Sequence, residues 1–436
     1  MRKPEFTEAE MQKIRSSFYY VDRDMTGAKR IFMDNAGGSL RLRAAEEAFR
    51  KTDSIPDCSE HANRTALLLL DIETRGRRDL QEVIFGTESG VVFPGGTASR
   101  LMMEICRIFA ENAAGTNVVT TMLEHPSAYD GMKMYAEKYG REFRVAPVNA
   151  AGGGVDADAV LSLIDKDTAI LCCMAASNIS GYVYDLEKIC RTARKINPEI
   201  LIICDAVQHA PHAWIDPEGI GADAMTFAPY KFFGIRGLGA GWISGRASSF
   251  AHHRLLGTRA DEWELGSPAP AHYAAISAVV DYVVSLGGKD IDGSTEPETR
   301  DPQADMKRRR EQFRAGMDRI AAQERYLLEV MLEGTDKIPG LRHIPGVTVR
   351  MDGASIGQRD LITGIELSGL SCVEARKAYD ERGIVVFERS AESIYSKRMV
   401  AAVGSAGLVR ISPLHVNTKE EMEEFLAVTR DLVRHS

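Results

Sequence analysis

The chain has 436 residues, of which 44% are hydrophobic and 27% charged, and it carries a formal net charge of −8. This composition excludes a globally disordered chain, and at roughly 150 residues per domain the length predicts about two to four structural units. The excess of acidic residues gives no electrostatic footprint for duplex nucleic acid or an anionic membrane, so we expect neither as a partner.

The first thirty residues are too polar for a signal peptide, and no stretch reaches the roughly 18 apolar residues that a membrane helix needs. The seven cysteines are scattered, mostly within apolar runs, and form no CxxC pair. This pattern favours buried, reduced thiols. We therefore expect a cytoplasmic protein.

Residues 31–286 alternate short β-branched apolar runs with amphipathic stretches, a pattern typical of a mostly parallel sheet covered by helices. The predicted strands are 90–94, 117–121, 169–175, 200–205, 224–228 and 239–244. The predicted helices between them are 99–111, 129–139, 156–164 and 186–195. Because the strands are almost continuously hydrophobic, we expect them to be buried on both faces of a doubly wound α/β domain.

The composition changes at Gly287, where a stretch rich in charge, Gly and Pro runs to residue 312. It leads into a predicted helix over 306–333. Residues 287–436 then alternate strand and helix signals and end in a predicted helix over 419–434. The sequence predicts a smaller α+β domain here, with residues 1–30 packed on it as an N-terminal segment.

Two charged residues follow predicted strands of the large domain. Asp205 ends the strand 200–205, and Lys231 comes 26 residues later, after 224–228. Side chains at the carboxyl ends of parallel strands face one crevice. This pair suits pyridoxal phosphate, because Asp205 would keep the pyridine nitrogen protonated and Lys231 would form the Schiff base. Taken separately, a helix cap for Asp205 and a snorkelling side chain for Lys231 stay open as alternatives.

The stretch 91–103, VVFPGGTASRLMM, is a strand, a Gly-Gly-Thr turn and a helix, which favours a phosphate at the helix N-terminus with Thr97 and Ser99 as hydroxyl donors. No Walker loop and no GxGxxG after a strand occurs, so nucleotide cofactors have little support. His125 follows the strand 117–121, where an imidazole would stack on a pyridine ring and exchange protons. We assign structural roles and no metal to the other paired histidines, His209, His212, His252 and His253.

Taken in order, these segments resemble the class V aminotransferase family of fold-type I pyridoxal phosphate enzymes, and within it the cysteine-desulfurase-like branch. The resemblance covers nearly the whole chain and rests on IFMDNAGGSL, FPGGTAS, EHPSAYD, SNISGYVYDL, CDAVQHAPH, FAPYKFFGIRGLGAGWI, WELGSPAP and LVRISPLHVNTKEEMEEFL. It implies a PLP-dependent transferase fold of type I, pyridoxal phosphate as the cofactor and an α-amino acid as the substrate.

The resemblance also implies roles for the matched residues around the cofactor ring. Lys231 would hold the cofactor, Asp205 would pair with its ring nitrogen and His125 would stack on it. Asn178 and Gln208 would address the phenolic oxygen.

Other matched residues would form the two ends of the site, one for the phosphate and one for the substrate carboxylate. Gly96 and Thr97 would hold the phosphate, and Ser267 would reach it from a partner subunit, which implies a homodimer with a shared active site. Arg410 would form a bidentate pair with the substrate carboxylate, with help from Asn35.

Two positions depart from the family pattern. Relatives usually carry His before the lysine, where this chain has Tyr230, whose hydroxyl would contact the phosphate or whose ring would simply pack. Desulfurases attack the substrate's sulfur with a cysteine on a loop ahead of the terminal arginine, yet residues 373–436 contain no cysteine. Cys372 lies at a predicted helix start before that loop, so we assign it a structural role.

The residues leave the reaction open among β-elimination, transamination and epimerisation, because the same groups serve each. The stretch YKFFGIRGLGAG resembles the desulfurase, lyase and epimerase branch, which favours β-elimination at a cysteine-like substrate. Transamination is the alternative. A catalytically silent scaffold is disfavoured, because it would not need an arginine for a substrate carboxylate.

Overall fold

The computed structural model describes residues 2–288 and 302–434. Within these ranges the chain forms a seven-stranded and a four-stranded sheet. The helices are α1 (Glu8–Ser16), α2 (Arg43–Asp53), α3 (Arg64–Arg78), α4 (Ala98–Asn112), α5 (Pro126–Lys138), α6 (Ala157–Leu161), α7 (Leu186–Ile196), α8 (Pro217–Ile220), α9 (Pro270–Gly287), α10 (Pro302–Glu333), α11 (Cys372–Asp380), α12 (Lys397–Ala402) and α13 (Lys419–Arg434).

The large sheet carries the candidate site. Its strands are β1 (Val91–Gly95), β2 (Asn117–Thr121), β3 (Glu142–Ala146), β4 (Thr168–Met174), β5 (Leu201–Asp205), β6 (Ala224–Phe227) and β7 (Gly239–Ile243). They lie in the order β1-β7-β6-β5-β4-β2-β3. Strand β7 is antiparallel to its two neighbours, and all the other pairs are parallel. The mostly parallel α/β sheet that the sequence predicts is confirmed.

All six predicted strands of this sheet are present, and β2, β4, β5, β6 and β7 are buried along their whole length. Strand β3, at the edge of the sheet, was not predicted from the sequence. Its sequence is EFRVA, and only Ala146 is fully buried, so it lacks the apolar run of the central strands. Two predicted helices also differ in extent, since α5 begins at Pro126 and α6 ends at Leu161.

The second sheet contains β8 (Val347–Arg350), β9 (Thr363–Leu367), β10 (Phe387–Ser390) and β11 (Gly407–Ile411) in the antiparallel order β8-β9-β11-β10. A hydrophobic cluster of its own surrounds it, formed with α10, α11 and α13. The chain start meets this region: Arg15 pairs with Glu421 of α13 at 2.8 Å, and Ile31 and Phe32 pair with 384–385. The start of the chain therefore packs beside its end.

Within residues 2–288 and 302–434, no helix is long and apolar enough to cross a membrane.

Candidate active site at the carboxyl edge of the large sheet

Three strands of the large sheet end side by side at one cavity. Asp205 ends β5, and the strand register pairs it with Met174 at the end of β4 and with Thr226 in β6. All three residues line a cavity of about 370 Å³. It lies outside the carboxyl ends of the parallel strands, the place at which open α/β sheets bind their ligands.

The cavity brings most of the sequence-predicted site residues together. They are Gly96, Thr97, Ser99, His125, Asn178, Asp205, Gln208, Tyr230 and Lys231. Asn35, Ser267 and Arg410 are not among the residues that line it.

Lys231 ends a short 3₁₀ turn, Pro229–Lys231, that follows β6. Two residues further on, Phe233 has a left-handed φ of 60°, a conformation that costs a non-glycine residue about 1–3 kcal/mol. Its buried ring packs edge-on against Phe18 and Tyr282. This packing holds the strained backbone next to the lysine and so fixes the turn.

The amine of Lys231 is enclosed, and its pKa is lowered to about 7. Burial is the main cause, the charge of Arg410 adds to it, and Asp205 opposes it. Burial also raises the pKa of Asp205, against a hydrogen bond that the Val207 N–H donates at 2.9 Å and the charge of Lys231. Near neutral pH a large share of Lys231 is therefore an uncharged amine, the form that acts as a nucleophile or a base.

His125 caps helix α5 with its ring. Its Nδ1 accepts a hydrogen bond from the Ser127 backbone N–H at 3.2 Å and lies 2.7 Å from the Ser127 hydroxyl. A backbone N–H can only donate, so the proton of the neutral ring is assigned to Nε2. Burial, with the charges of Lys231 and Arg389, lowers the pKa of His125 to about 3. The histidine thus lines the cavity as a neutral ring.

The opposite end of the cavity is the N-terminus of α4, a helix of 15 residues. Thr97 caps it by accepting a hydrogen bond from the Arg100 N–H at 3.1 Å. Strand β7 approaches this turn so closely that a Cβ on Gly239 would lie 2.3 Å from the backbone nitrogen of Ala98. Free amides and a positive helix end make this turn suitable for an anion such as a phosphate.

Two buried polar atoms of cavity-lining residues have no hydrogen-bond partner in the described structure, Asn178 Oδ1 and Thr226 Oγ1. Buried polar atoms without partners are rare in folded proteins and call for a ligand or water. Gln208 differs, because its Nε2 donates to the Ala36 carbonyl at 3.1 Å. The two unpartnered atoms are therefore available to a bound molecule.

Tyr230, at the position where relatives usually have His, lies beside two arginines. The Arg236 guanidinium lies 4.6 Å from its ring centre, and Arg41 donates to its carbonyl at 2.6 Å. Burial raises the pKa of its hydroxyl. The phenol therefore stays protonated at neutral pH and can donate a hydrogen bond.

Arg410 and Asn35 lie outside the cavity lining, where the four-stranded sheet meets the segment around Asp34. Arg410, 2% exposed, pairs through Nη2 with Asp34 at 2.6 Å, and its Nε has no partner in the described structure. The Asn35 amide accepts from the Leu40 N–H and donates to the Ser412 carbonyl, each at 3.0 Å. Asn35 thus holds the local turn, while Arg410 influences Lys231 through its charge.

Ser267 lies apart from these residues. It is exposed on the connection between β7 and α9. Three leucines of this connection, Leu255, Leu256 and Leu265, are also exposed, with relative solvent-accessible areas of 61%, 101% and 56%. A single chain therefore does not bring Ser267 to the cavity.

Tyr395, Arg398 and Arg389, which lie near His125 or its loop, were not predicted from the sequence. The Tyr395 ring stacks near His125, with ring centres 6.3 Å apart. Arg398 of α12 binds the backbone carbonyls of Met122 and Glu124 and so ties this loop to the end of β2. Arg389, 5% exposed, donates to the Tyr395 carbonyl at 3.1 Å. The stretch that carries them was considered above only for a cysteine, so these side chains were not predicted from the sequence.

Glu124, also missed, is a second carboxylic acid near the cavity. It is fully buried, and Oε1 accepts from the Thr121 hydroxyl at 2.7 Å and the Met174 N–H at 3.0 Å. Burial, together with the charge of Asp205, raises its pKa to about 8. At neutral pH Glu124 is therefore mostly protonated.

The cysteines and the remaining histidines lie elsewhere. No cysteine is among the described residues that line the cavity. His209 pairs with Asp360 at 2.9 Å and His212 with Glu324 at 2.6 Å. Among the residues that the structure describes, no group of three or more His, Cys, Asp or Glu side chains could hold a metal ion.

The doubly wound sheet, with a lysine and a carboxylate at neighbouring strand ends, defines the class of fold-type I pyridoxal phosphate enzymes. A family model described as "Aminotransferase class-V" matches residues 31–300. The chain belongs to this family.

Similar proteins agree with the family. A probable cysteine desulfurase from Synechocystis sp. is 22% identical over 97% of this chain and 95% of its own length. A cysteine desulfurase from Yersinia pestis is 24% identical over 64% of this chain and 72% of its own length. Solved cysteine desulfurases from Thermococcus onnurineus and Escherichia coli cover 98% of both chains, with TM-scores of 0.79 and 0.75 at 19% and 16% identity. These structures share the fold.

Members of this family depend on pyridoxal phosphate, and this chain is accordingly a pyridoxal phosphate-dependent enzyme. The residues at the cavity fit that cofactor. They offer a partly uncharged amine at Lys231, a buried carboxylate at Asp205, a helix N-terminus beside Thr97, and unpartnered polar atoms on Asn178 and Thr226.

Proposed function

We propose that the enzyme acts on a free α-amino acid and eliminates a substituent from its Cβ, as a C–S lyase does, without a cysteine nucleophile. The observation that carries the proposal is the partly neutral amine of Lys231 beside Asp205, in a cavity with no cysteine among its described lining residues. The relatives named cysteine desulfurase favour a sulfur-bearing amino acid. Since no thiol lines the cavity, sulfur would leave as a thiol or sulfide.

In this proposal each chain residue has a defined task. Lys231 holds the cofactor and, once released, takes the Cα proton, for which a pKa near 7 suits it. Asp205 pairs with the ring nitrogen, and neutral His125 stacks on the ring. When bound, pyridoxal phosphate supplies the electron sink for the charge left at Cα. Asn178 and Gln208 address its phenolic oxygen.

The phosphate and the substrate carboxylate are bound at separate ends. Gly96, Thr97 and Ser99 hold the phosphate at the start of α4, where the helix N-terminus favours an anion. Tyr230 is close enough to the cavity to donate its hydroxyl to the same phosphate. Arg410 binds the α-carboxylate of the substrate.

The net reaction balances with water alone. The Cα–H and Cβ–S bonds break, and the leaving thiolate takes the bonding electron pair and then a proton. Water converts the remaining enamine to a 2-oxo acid and ammonia. No oxidant or second amino acid is consumed, which distinguishes this reaction from transamination.

We also propose a homodimer in the cytoplasm. The exposed leucines of the connection that carries Ser267 support a partner at this surface, because a folded protein tends to cover such a patch. In the dimer, Ser267 would reach the partner's phosphate site. The seven free cysteines, five of them buried, fit a reducing compartment.

The proposed units are an N-terminal segment (1–30), a large cofactor-binding domain (31–286) and a small domain (287–436). The separate hydrophobic clusters around the two sheets support the division between the last two.

Transamination is the second candidate, and the family match favours it. The deciding experiment mixes purified holoenzyme with an amino acid panel and measures the 2-oxo acid, sulfide or thiol, ammonia and the aminated cofactor together. Equal amounts of pyruvate and ammonia support elimination. Accumulation of the aminated cofactor establishes transamination instead. Appearance of the opposite enantiomer, measured by chiral chromatography of the same mixtures, establishes epimerisation, and no change with any amino acid indicates a scaffold.

A further inference from the structure

Two arginines lie on one face of the small sheet, on adjacent strands. Strands β10 and β11 are antiparallel, and their register pairs Phe387 with Arg410 and Arg389 with Leu408. Alternate residues of a strand share a face, so Arg389 and Arg410 are diagonal neighbours on the same face. The backbones of two diagonal neighbours are roughly 7–8 Å apart. Two anionic groups of one small molecule can span that distance.

Arg389 is a buried guanidinium without a carboxylate. It is 5% exposed, and among the described residues no carboxylate lies within ion-pair distance of it. Its Nη2 donates to the Tyr395 carbonyl at 3.1 Å, and its Nε is buried without a partner. Arg359, an arginine with no exposed side-chain area, shows the usual solution, because Asp352 lies 2.8 Å away. A buried charge with no counter-charge is costly, so Arg389 calls for an anion.

Arg389 is also close to the reacting groups. Its charge lowers the pKa values of both His125 and Lys231, which places it within electrostatic reach of the cavity. It holds the carbonyl of Tyr395, and the ring of that tyrosine stacks near His125. Arg389 is not among the residues that line the cavity, and Tyr395 connects it to the His125 side of the site.

The other charges of this region have partners. Asp34 pairs with Arg410 at 2.6 Å, and Asp205 is the carboxylate that supports Lys231 and the cofactor ring. Burial and the charge of Arg410 lower the pKa of Arg389 to about 9, and the charge of Asp34, which is ion-paired with Arg410, opposes this without contacting Arg389. One carboxylate, Asp34, is therefore shared between two buried arginines. The α-carboxylate of the substrate is proposed to bind Arg410. A second negative charge is therefore needed to balance Arg389.

We propose that Arg389 binds an anionic group on the side chain of the amino acid substrate, so that the enzyme selects amino acids with an acidic side chain. This inference rests on the proposed function, because it assumes that an α-amino acid occupies the cavity. A planar guanidinium suits a carboxylate or another oxyanion of the same shape. An amino acid with a neutral side chain of the same shape would leave the charge of Arg389 buried and without an ion-pair partner.

The test compares two compounds that differ only in this charge. S-carboxymethylcysteine carries a side-chain carboxylate, and S-carbamoylmethylcysteine carries the amide in its place. Dissociation constants are measured with holoenzyme from the change in the visible absorbance of the bound cofactor. The wild type should bind the carboxylate at least about 30-fold more tightly, the loss expected when a buried charge pair is broken.

Variants assign the preference to Arg389. Arg389→Met should remove the preference, and Arg389→Lys should keep part of it. Arg350→Met is the matched control, because Arg350 lies in β8 of the same sheet and is paired with Glu366 at 2.5 Å. This control should keep the wild-type ratio. The thermal midpoint of unfolding is measured for every variant. If Arg389→Met does not fold, the ratio of the two dissociation constants in the wild type and in Arg389→Lys tests the inference.

The outcomes separate the two proposals. Equal affinity of the wild type for both compounds overturns the inference, and so does an Arg389→Met variant that weakens both equally. If both compounds bind with the expected ratio but no thiol or pyruvate forms, the elimination chemistry is wrong and the inference stands. If neither compound changes the absorbance, the inference is overturned, and the amino acid panel decides the proposed function separately.

Discussion

Replacing Glu324 by Gln should destabilise the protein in a pH-dependent way. Glu324 of α10 lies 2.6 Å from His212 Nδ1 and accepts from the His415 N–H at 3.1 Å, and His415 Nε2 contacts the Tyr282 hydroxyl at 2.7 Å. His212 and Glu324 are 4% and 3% exposed. The group connects His212, which follows β5, with helices α9 and α10 and with the segment after β11.

The pKa of His212 sets the magnitude. Burial alone would lower it, but the Glu324 carboxylate, with a smaller contribution from Asp360, raises it from 6.5 to about 9. A rise of this size corresponds to about 3 kcal/mol. Since the folded state holds the proton more tightly, this stability is fully present below pH 6.5 and is lost as pH rises through about 9.

The assay is the thermal midpoint at pH 6.5 and at pH 10. At about 2.1 cal/mol/K per residue, unfolding 436 residues changes the entropy by about 0.9 kcal/mol/K, so 3 kcal/mol lowers the midpoint by about 3 °C. Glu324→Gln should show this loss at pH 6.5 and little of it at pH 10.

Glu333→Gln is the matched control. Glu333 lies on the same helix and pairs with His343 at 2.8 Å, but both side chains are exposed, so its removal should change the midpoint by less than about 1 °C. If Glu324→Gln lost the same stability at both pH values, the buried ion pair would not be the cause and the reasoning would be refuted.

Three further predictions concern the site. Lys231→Ala should lose the visible absorbance of the bound cofactor and keep its fold, and borohydride reduction of the wild type should label the Lys231 peptide alone in mass spectrometry. Arg410→Ala should weaken amino acid binding by about two orders of magnitude, measured by spectral titration, with Arg410→Lys recovering little, whereas a purely structural arginine would lower the melting temperature and leave affinity unchanged. A Lys231→Ala subunit mixed with a subunit altered at Ser267 should regain part of the activity in a homodimer, and an active monomer in light scattering would contradict this.

The sequence was sufficient for the features that depend on local pattern. Fully apolar strands predicted the parallel core of the large sheet, and the strand-end rule brought Asp205 and Lys231 to one cavity. The edge strand β3 was missed, because a half-exposed strand with alternating charges lacks that apolar run.

Features that depend on strand register or on packing between distant elements were not predictable. Arg389 is 21 residues from Arg410 in the sequence. Only the pairing of β10 with β11 makes the two arginines neighbours. Glu124 stands beside His125 in the segment EHPSAYD, but its hydrogen bond from the Met174 N–H, like the ring contact of Tyr395, depends on packing between distant elements. The position of Ser267 depends on a second chain in our proposal, which one sequence cannot specify.

The ion pair between Asp34 and Arg410 also sets an order of events during synthesis of the protein. The two residues are 376 positions apart, so at about 5–20 residues per second a ribosome needs roughly 20 to 75 s to make the second after the first. Throughout this interval the large sheet can form while Asp34 has no guanidinium to face. The Asp34–Arg410 ion pair, at the proposed binding position for the substrate carboxylate, is therefore among the last contacts to form as the chain is synthesised.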